Sequence, residues 1–438
     1  MNSEPHDQVP EPASGPSPER RGAIVVDAAG EERYIVISAD GHAGGDVPDY
    51  RSYLPSKWHD AFDAWAATYE MPYEDLLGDL GARNWDSDRR RRDLEADGQV
   101  AEVIFPNTVP PFFPKVSLAA QPPAITAADM EQRWAGLQAH NRWLADFCDA
   151  LPGRRAGVAQ ITLHDVDASV AEIRWAHERG LTGGCLLPGT PPGTGVPQLY
   201  EEEYEPIWQV CAELGVPLNH HTGSAAPPMG PTDRDAVVFL LEVSWWAHRA
   251  LTHLMVAGVF ERHPDLRVVF TEQGTAWVPE ELARLDVFIS RMRHAGGSQE
   301  QVWGKAIADS MSLLPSEYWA RQCHIGASFI RPLEVGLRHQ VGIDRIMWGS
   351  DYPHKESSHP FSLEAIRAAF AGIPHDEVAA MLGGNAAALY GFDLDRLAPV
   401  AAEIGPRVAD VDVPLDRSAL PIEAYKCPAF APEYATSG

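Results

Sequence analysis

The sequence predicts a parallel α/β barrel, and three observations carry that prediction. Short runs rich in β-branched residues alternate with helical patterns along most of the chain, which is typical of parallel strands joined by helices. Eight such runs can be recognised, the number that closes a (β/α)8, or TIM, barrel. The first run leads into the polar sequence Asp40–Gly41–His42, whereas a doubly wound dinucleotide-binding fold would have a glycine-rich phosphate loop there.

Each predicted strand is bounded by glycine, proline or polar residues, and helical patterns lie between the strands. The clearest helical patterns are Trp134–Cys148, before the third strand, and Ala236–Phe260, after the fifth. The eight predicted strands are Tyr34–Ser38, Ala101–Phe105, Arg155–Ile161, Gly183–Leu187, Val216–His221, Leu266–Glu272, Gln322–Gly326 and Arg345–Gly349.

The predicted barrel, residues 31–405, lies between two segments of different character. Residues 1–30 are rich in Pro, Glu, Ser and Gly without a hydrophobic period, which predicts a disordered leader. An aromatic-rich insertion, Tyr50–Trp85, follows the first strand. Residues 406–438 are loop-like but hold several apolar side chains, so we expect this C-terminal extension to lie on the barrel or on a partner subunit.

Composition and charge exclude several classes of protein. The chain has 438 residues and a net charge of -27, so its surface repels phosphate backbones and anionic lipid, and we expect neither nucleic acid nor membrane partners. It has no apolar run of the ~18–20 residues that span a bilayer and no basic-then-apolar secretory signal. Its five scattered cysteines form neither a disulfide framework nor a zinc knuckle. We therefore expect a soluble, cytoplasmic enzyme that acts on a small molecule.

Polar side chains of metal-binding type gather at the predicted strand ends. The active site of an α/β barrel lies at the C-terminal ends of its strands. Asp40 and His42 are two residues apart, so both side chains project to the same face of an extended strand. Imidazoles and carboxylates together have the composition of a metal site. The candidates at or near strand ends are Asp40, His42, Glu102, His164, His221, Glu272, His324 and Asp351.

Several longer motifs carry a resemblance to a known family. They read ISADGHAG at the first strand, PLNHHTG at the fifth, VFERHPDLRVVFTEQGTAWVPEELARLD through the sixth, IMWGSDYPH at the eighth and GNAAALYGF beyond it. From about Tyr34 to Phe392 the chain resembles the amidohydrolase-related group of the metal-dependent hydrolase superfamily, which includes aminocarboxymuconate-semialdehyde and resorcylate-type decarboxylases. The resemblance implies a distorted (β/α)8 barrel and a divalent metal ion, zinc or manganese. It implies four metal ligands: Asp40, His42, His221 and Asp351.

Ordinary structural roles compete with some of these assignments. His220 and His221 are adjacent on a strand, so only one can face the barrel interior, and the family pattern His-x-Gly selects His221. Asp351 could instead cap the following helix. His354 could contact substrate or solvent, and His164 could simply begin a helix. We take His164, His324, His354 and Arg321 as candidate substrate-binding residues.

Three residues depart from a simple one-metal site. Glu272 stands where many decarboxylases of the family have a histidine. It could act as a general base, orient a histidine ligand, bind a second metal or pair with an arginine. Glu102 lies inside an apolar strand, where a carboxylate is costly unless it is paired or metal-bound. His248 lies on the helix after the fifth strand, and it too could be a ligand or a supporting residue.

These residues support two hypotheses about the reaction. The first is a mononuclear metal enzyme that hydrolyses, or decarboxylates without oxidation, a small carboxylate or ring compound, with Glu272 and Asp351 as catalytic residues. The alternative is a dinuclear iron or manganese–iron monooxygenase that hydroxylates an amine or natural-product intermediate, with Glu102, His248 and Glu272 serving a second metal. A non-catalytic subunit is disfavoured, because it would not need a full ligand set. We expect a homodimer in either case.

Overall fold

The computed structural model of the chain describes residues 23–71, 76–114 and 126–431. Most of the predicted leader, and the end of the C-terminal extension, lie outside these ranges. None of the helices within them is both long and apolar enough to cross a lipid bilayer.

The chain forms a (β/α)8 barrel whose strands follow one another in parallel order. A short antiparallel hairpin, β1 and β2, precedes the barrel, and the third barrel strand is split into β5 and β6. The strands are β1 (Ile24–Val26), β2 (Glu32–Tyr34), β3 (Ile37–Ala43), β4 (Ala101–Pro106), β5 (Arg155–Gly157), β6 (Ala159–Gln160), β7 (Cys185–Leu186), β8 (Leu218–His221), β9 (Val268–Thr271), β10 (Cys323–Ser328) and β11 (Ile346–Gly349).

The barrel is distorted at two seams between its parallel sheets, β3-β4-β5 and β6 to β11. At the first seam the chain turns at Val158, whose amide still donates to the carbonyl of Ile104 over 2.9 Å. At the second seam the residues after β11 bond to β3. The Asp351 amide donates to the Asp40 carbonyl over 2.8 Å, and the His42 amide donates to the Tyr352 carbonyl over 2.7 Å. The first and last barrel strands therefore meet at the predicted metal ligands.

Helices cover the outside of the barrel, as an all-parallel sheet requires because both of its faces must be buried. Helices of six residues or more are α1 (His59–Ala66), α2 (Ser87–Ala96), α3 (Ala127–Asp149), α4 (Val166–Glu178), α5 (Glu205–Leu214), α6 (Asp233–Val256), α7 (Trp277–His294), α8 (Gln299–Ser310), α9 (Pro315–Gln322), α10 (Ser362–Phe370), α11 (Asn385–Tyr390) and α12 (Leu394–Ile404). Single-turn helices are Gly78–Gly81, Val259–Arg262, Pro332–Gly336, Arg338–Val341, His375–Ala379 and Val408–Val411.

The main core lies between the strands and this helical layer. Strand residues such as Leu218, Phe270 and Ile325 pack there against Trp208 and Trp319 of the helices, and all five are buried. Because every residue of β3, β4 and β8 to β11 is buried, a polar side chain on these strands must find a partner inside the barrel. This requirement makes the buried polar residues at the strand ends informative about function.

Two predicted boundaries are corrected by the structure. The predicted leader, residues 1–30, ends too late, because Ile24–Val26 pairs with Glu32–Tyr34 and the Ile35 amide donates to the Ala23 carbonyl over 2.9 Å. The first barrel strand, predicted at Tyr34–Ser38, instead starts at Ile37 and continues to Ala43. Its pairing with β4 extends that far, so Asp40 and His42 lie within the strand and not beyond its end.

The insertion and the C-terminal extension both pack on the barrel. In the insertion, Tyr50 and Phe62 join a cluster with Trp143 of α3. In the extension, Cys427 and Phe430 are buried in a cluster that includes α10 residues and Phe329, which directly follows β10. The extension therefore lies beside the C-terminal edge of the barrel, the same edge that carries the predicted ligands.

Candidate metal centre

Three of the predicted ligands, Asp40, His42 and His221, converge on one point at the C-terminal edge of the barrel, and the fourth, Asp351, lies against His42 there. His42 Nε2 lies 3.2 Å from Asp40 Oδ1 and 3.1 Å from Asp351 Oδ1, and His221 Nε2 lies 3.4 Å from the same Asp40 oxygen. All four side chains are buried. Donor atoms that each lie about 2.0–2.2 Å from one metal ion are themselves about 3 Å apart. The spacing therefore fits Asp40, His42 and His221 as ligands of one divalent ion, such as zinc or manganese, and Asp351 is within reach of that ion through its contact with His42.

The two histidines present the correct nitrogen to this point. His42 Nδ1 lies 3.4 Å from the Pro106 carbonyl oxygen, and His221 Nδ1 lies 3.1 Å from the Thr222 carbonyl oxygen. A carbonyl can only accept, so a proton on each Nδ1 would point to its carbonyl. With a metal ion at the cluster, each Nε2 would then supply a lone pair to it. A backbone carbonyl behind the imidazole is the usual arrangement for a histidine that binds metal.

Asp40 is held as firmly as the histidines. Ser328, at the end of β10, donates to Asp40 Oδ2 and leaves Oδ1 directed at the imidazoles. Gly349 permits β11 to approach this closely, since a Cβ there would come within 2.6 Å of the Asp40 Cβ.

Asp351 and Glu272 both adopt backbone conformations that only glycine and a few other residues adopt readily. Their φ angles are 61° and 57°, in the left-handed region. Strain of this kind gathers at functional sites, where the surrounding structure holds a side chain in a required direction. Glu272 Oε2 consequently lies 3.6 Å from His221 Nδ1, beside the four-residue cluster. Burial and the nearby Asp351 carboxylate raise the pKa of Glu272.

His354 also reaches the cluster. Two further residues that contact the cluster, Phe105 and Ser328, had not been predicted. The His354 and His42 rings lie 4.5 Å apart, and His354 joins His42 and Asp351 in a second possible ligand set. The Phe105 ring lies 4.9 Å from that of His221 and forms an aromatic side of the site. The sequence offered one signal for Phe105, its place at the end of the second strand. It offered none for Ser328, because the seventh strand was predicted to end two residues too early.

Glu102 is not a metal ligand, in contrast to one of the predicted roles. Arg90 Nη2 donates to Glu102 Oε2 over 2.6 Å, Arg90 Nε donates to Oε1 over 2.8 Å, and Arg155 Nε lies 3.5 Å from Oε1. The carboxylate thus has permanent guanidinium partners, which remove the cost of its burial. The same arginine supports the metal centre from behind, because Arg90 Nη1 donates to the His42 carbonyl over 2.7 Å.

His248 does not reach the cluster either. Its ring stacks on Trp277 at 3.9 Å between centroids, and its Nε2 lies 3.3 Å from the Gln273 carbonyl oxygen. Burial lowers the pKa of His248 to about 4, so it is neutral near pH 7 and donates to that carbonyl. It therefore holds the segment next to Glu272. With Glu102 paired to arginines as well, two of the three residues predicted for a second metal have other structural roles.

His324 and Arg321 lie at the opposite edge of the barrel and are wrong as substrate-binding residues. β10 runs from Cys323 to Ser328, so His324 is at its beginning, whereas the cluster lies at the strand ends. His324 Nε2 lies 3.3 Å from Arg345 Nη1. Arg321 donates to the Phe260 carbonyl over 2.6 Å. The first residues of parallel strands lie at one edge of the barrel and the last residues lie at the other, so a residue that begins β10 cannot reach the cluster.

His164 lies at the C-terminal edge but lines a separate cavity. This cavity, of about 230 Å³, is formed between the start of α3 and the chain after β6, and none of the four predicted ligands lines it. Its walls include Phe113, Trp134 and Arg133 as well as His164. Burial and the nearby Arg133 lower the pKa of His164. Its assignment as a substrate-binding residue stays a prediction.

The sequence was compared with known protein families and with characterised proteins. The profile of the family described as amidohydrolase matches residues 63–392. Gamma-resorcylate decarboxylase from Rhodococcus jostii is 26% identical over 265 residues, which cover 55% of this chain and 74% of that relative.

Solved structures give the same architecture. 5-Carboxyvanillate decarboxylase from Sphingomonas paucimobilis superposes with a TM-score of 0.59 at 18% identity, covering 82% of this chain and 99% of the other. The Novosphingobium aromaticivorans 5-carboxyvanillate decarboxylase, crystallised with manganese and 4-hydroxy-3-methoxy-5-nitrobenzoic acid, gives 0.60 at 20% identity, covering 82% and 96%. At these identities the structural likeness bears on the fold alone.

Proposed function

The chain belongs to the amidohydrolase family, and from that premise we propose that it is a metal-dependent decarboxylase of a small aromatic acid. The observation that carries the proposal is the convergence of Asp40, His42, His221 and Asp351 at the strand ends of the barrel. The activity of the gamma-resorcylate decarboxylase relative supports removal of a ring carboxylate over hydrolysis.

The residues around the cluster have separable roles in this reaction. A bound divalent ion would supply positive charge that holds the substrate carboxylate and an adjacent ring oxygen. Phe105 is buried against the His221 ring and helps to hold that ligand in place, and the half-buried His354 borders the space beside the cluster. Ser328 and the backbone carbonyls behind His42 and His221 keep the donor atoms aligned.

Glu272 is the proposed proton donor. It lies beside the cluster and not within it, with its carboxyl 3.6 Å from His221 Nδ1 and partly accessible. When the bond from the ring to the carboxylate breaks, the electron pair stays on the ring carbon and carbon dioxide leaves. The Glu272 carboxyl then gives its proton to that carbon, and the proton that replaces it comes from solvent.

The test is an assay for carbon dioxide with the enzyme loaded with manganese or zinc. We expect 2,6-dihydroxybenzoate or a related hydroxylated benzoate to lose one equivalent of carbon dioxide without consuming oxygen. The parallel assay with aryl esters and amides should show no turnover. Hydrolysis of those esters without release of carbon dioxide, or turnover that requires oxygen, would contradict the proposal.

A further inference from the structure

Three consecutive barrel strands, β9 to β11, are each followed closely by a residue in the left-handed backbone region. Glu272 follows β9, Phe329 follows β10 and Asp351 lies two residues after β11, with φ angles of 57°, 58° and 61°. Glu272 and Asp351 have side chains at the cluster of predicted ligands. Phe329 has no metal-binding group, so this conformation, which is uncommon for a large side chain, requires another explanation.

The Phe329 side chain packs against the C-terminal extension. It lies on a small apolar core, which we call the extension core, formed by Ala365, Ala424, Cys427, Ala429 and Phe430. Ala365 belongs to α10, and the other four residues belong to the extension and are buried. Arg367 of α10 donates to the Val413 carbonyl over 3.2 Å, so the start of the extension is bound to the same helix. The extension therefore supplies the apolar surface on which Phe329 lies.

Phe329 directly follows a residue that holds a predicted ligand. Ser328, the last residue of β10, donates to Asp40 Oδ2 and leaves Asp40 Oδ1 directed at the imidazoles of His42 and His221. One rigid peptide plane joins Ser328 to Phe329. A relaxation of the Phe329 backbone would tilt that plane and displace the end of β10. The serine hydroxyl would then lose its alignment with Asp40.

We propose that the C-terminal extension positions the metal centre, because it holds Phe329 in place and thereby aligns the Ser328 hydroxyl that orients Asp40. A strained backbone conformation persists only where the surrounding structure enforces it, and the packing of Phe329 on the extension core does so here. The residues that match the amidohydrolase profile end at 392, so this positioning element lies outside the matched region. The inference rests on the proposed metal centre and not on the reaction.

Two substitutions of Phe329 separate backbone direction from packing. Phe329→Ala and Phe329→Gly both remove the side chain that lies on the extension core, but glycine adopts a positive φ without strain and alanine does not. Metal affinity, measured by competition with a chelator, should fall about 10- to 100-fold in Phe329→Ala and about threefold or less in Phe329→Gly. Packing alone would make glycine at least as harmful as alanine. An equal or larger loss in Phe329→Gly, or no loss in Phe329→Ala, would overturn the proposal.

A double-mutant cycle tests whether the extension acts through Ser328. Phe430→Ala should lower metal affinity about tenfold in the wild type but less than about twofold in the Ser328→Ala background, where Asp40 has already lost its hydrogen bond. Phe62→Ala is the matched control, because Phe430 and Phe62 are 0% and 2% exposed but Phe62 packs in the insertion. It should change metal affinity less than about twofold. Circular dichroism checks folding, and the Phe329 pair carries the test alone if Phe430→Ala does not fold.

The remaining outcomes distinguish this role from general destabilisation and from the reaction. Equal losses of metal affinity from Phe430→Ala with and without the Ser328 hydroxyl would overturn the proposal, and so would an equal loss from Phe62→Ala. A wild type that binds no metal would overturn it together with the metal centre. Metal affinities that change as predicted in a protein without decarboxylase activity would support the positioning role and reject only the proposed reaction.

Discussion

Strands β3 and β4 carry two buried carboxylates, Asp40 and Glu102, that face very different partners. Ser38 pairs with Glu102 across the two strands, so Asp40 lies only two residues further along. Glu102 is bound by the guanidinium groups of Arg90 and Arg155, which stay charged at any ordinary pH. Asp40 meets the Nε2 atoms of two imidazoles, each of which can supply a lone pair to a metal ion.

This difference decides which carboxylate can hold an exchangeable ion. A guanidinium offers only donors, so it neutralises a carboxylate and leaves no lone pair for a metal. A neutral imidazole offers one lone pair, and several of them directed at one point form a metal site. Burial alone does not distinguish the two cases, but the chemistry of the partner does. Arg90 connects the two carboxylate sites, because it donates to both Glu102 and the His42 carbonyl.

The largest effect should follow from breaking the ligand cluster. We expect Asp351→Asn to lose the metal and all measurable decarboxylation, because an amide replaces the anionic oxygen 3.1 Å from His42 Nε2. Metal content and turnover are measured on the same sample. The matched control is Asp97→Asn, a buried aspartate bonded to Ser362, which should keep its metal. Retention of metal and activity by Asp351→Asn would remove Asp351 from the site.

The next effect separates proton transfer from metal binding. Glu272→Gln removes the proposed proton donor but keeps its size, so kcat should fall about 10²- to 10⁴-fold while metal content stays unchanged. Glu280→Gln, an exposed neighbour on α7, should leave both values as they are. Loss of metal from the Glu272→Gln variant would show a ligand instead, and unchanged kcat would exclude Glu272 from proton transfer.

The ion-paired cluster can be broken without changing a ligand. Arg90→Met leaves Glu102 with only its longer contact to Arg155 and removes the bond to the His42 carbonyl. We expect about 3–5 kcal/mol lower stability to chemical denaturation. Metal affinity, measured by competition with a chelator, should fall about 10- to 100-fold. The control is Arg89→Met on the same helix as Arg90. It removes an ion pair with the exposed Asp79, should cost less than about 1 kcal/mol and should leave metal affinity unaffected.

The smallest effect concerns the opposite edge of the barrel. Burial, reinforced by Arg345, lowers the pKa of His324 to about 3, against about 6.5 in the unfolded chain. Protonation therefore favours unfolding as the pH falls from about 6.5 toward 3, and the cost reaches about 2 kcal/mol at pH 5. Between pH 7.5 and pH 5, the free energy of unfolding of the wild type should therefore fall by about 2 kcal/mol more than that of His324→Gln. Metal content and kcat at pH 7.5 should stay unchanged; a loss of either would restore His324 to the site.

The contrast between Asp40 and Glu102 also shows which features of the site can be predicted from the sequence. The fold was predicted because β-branched runs and helical patterns record local structure directly. Asp40, His42, His221 and Asp351 could be predicted as a group because each lies at or near the end of a run and the family resemblance implies that they are ligands. The partner of Glu102 could not be found, since Arg90 lies on α2 and reaches the strand only through the tertiary fold. The position of His324 was mistaken because the pattern located the strand but not its end.

We predict one divalent ion per chain, held at the strand ends of the barrel. Inductively coupled plasma mass spectrometry on protein purified without chelators or an affinity metal measures this directly. We expect about one zinc or manganese ion per chain. Glu102→Gln disturbs Arg90, which bonds to the His42 carbonyl, so this variant should hold less than one ion per chain. Two ions per chain, or none after reconstitution with either metal, would contradict the single centre formed by Asp40, His42, His221 and Asp351.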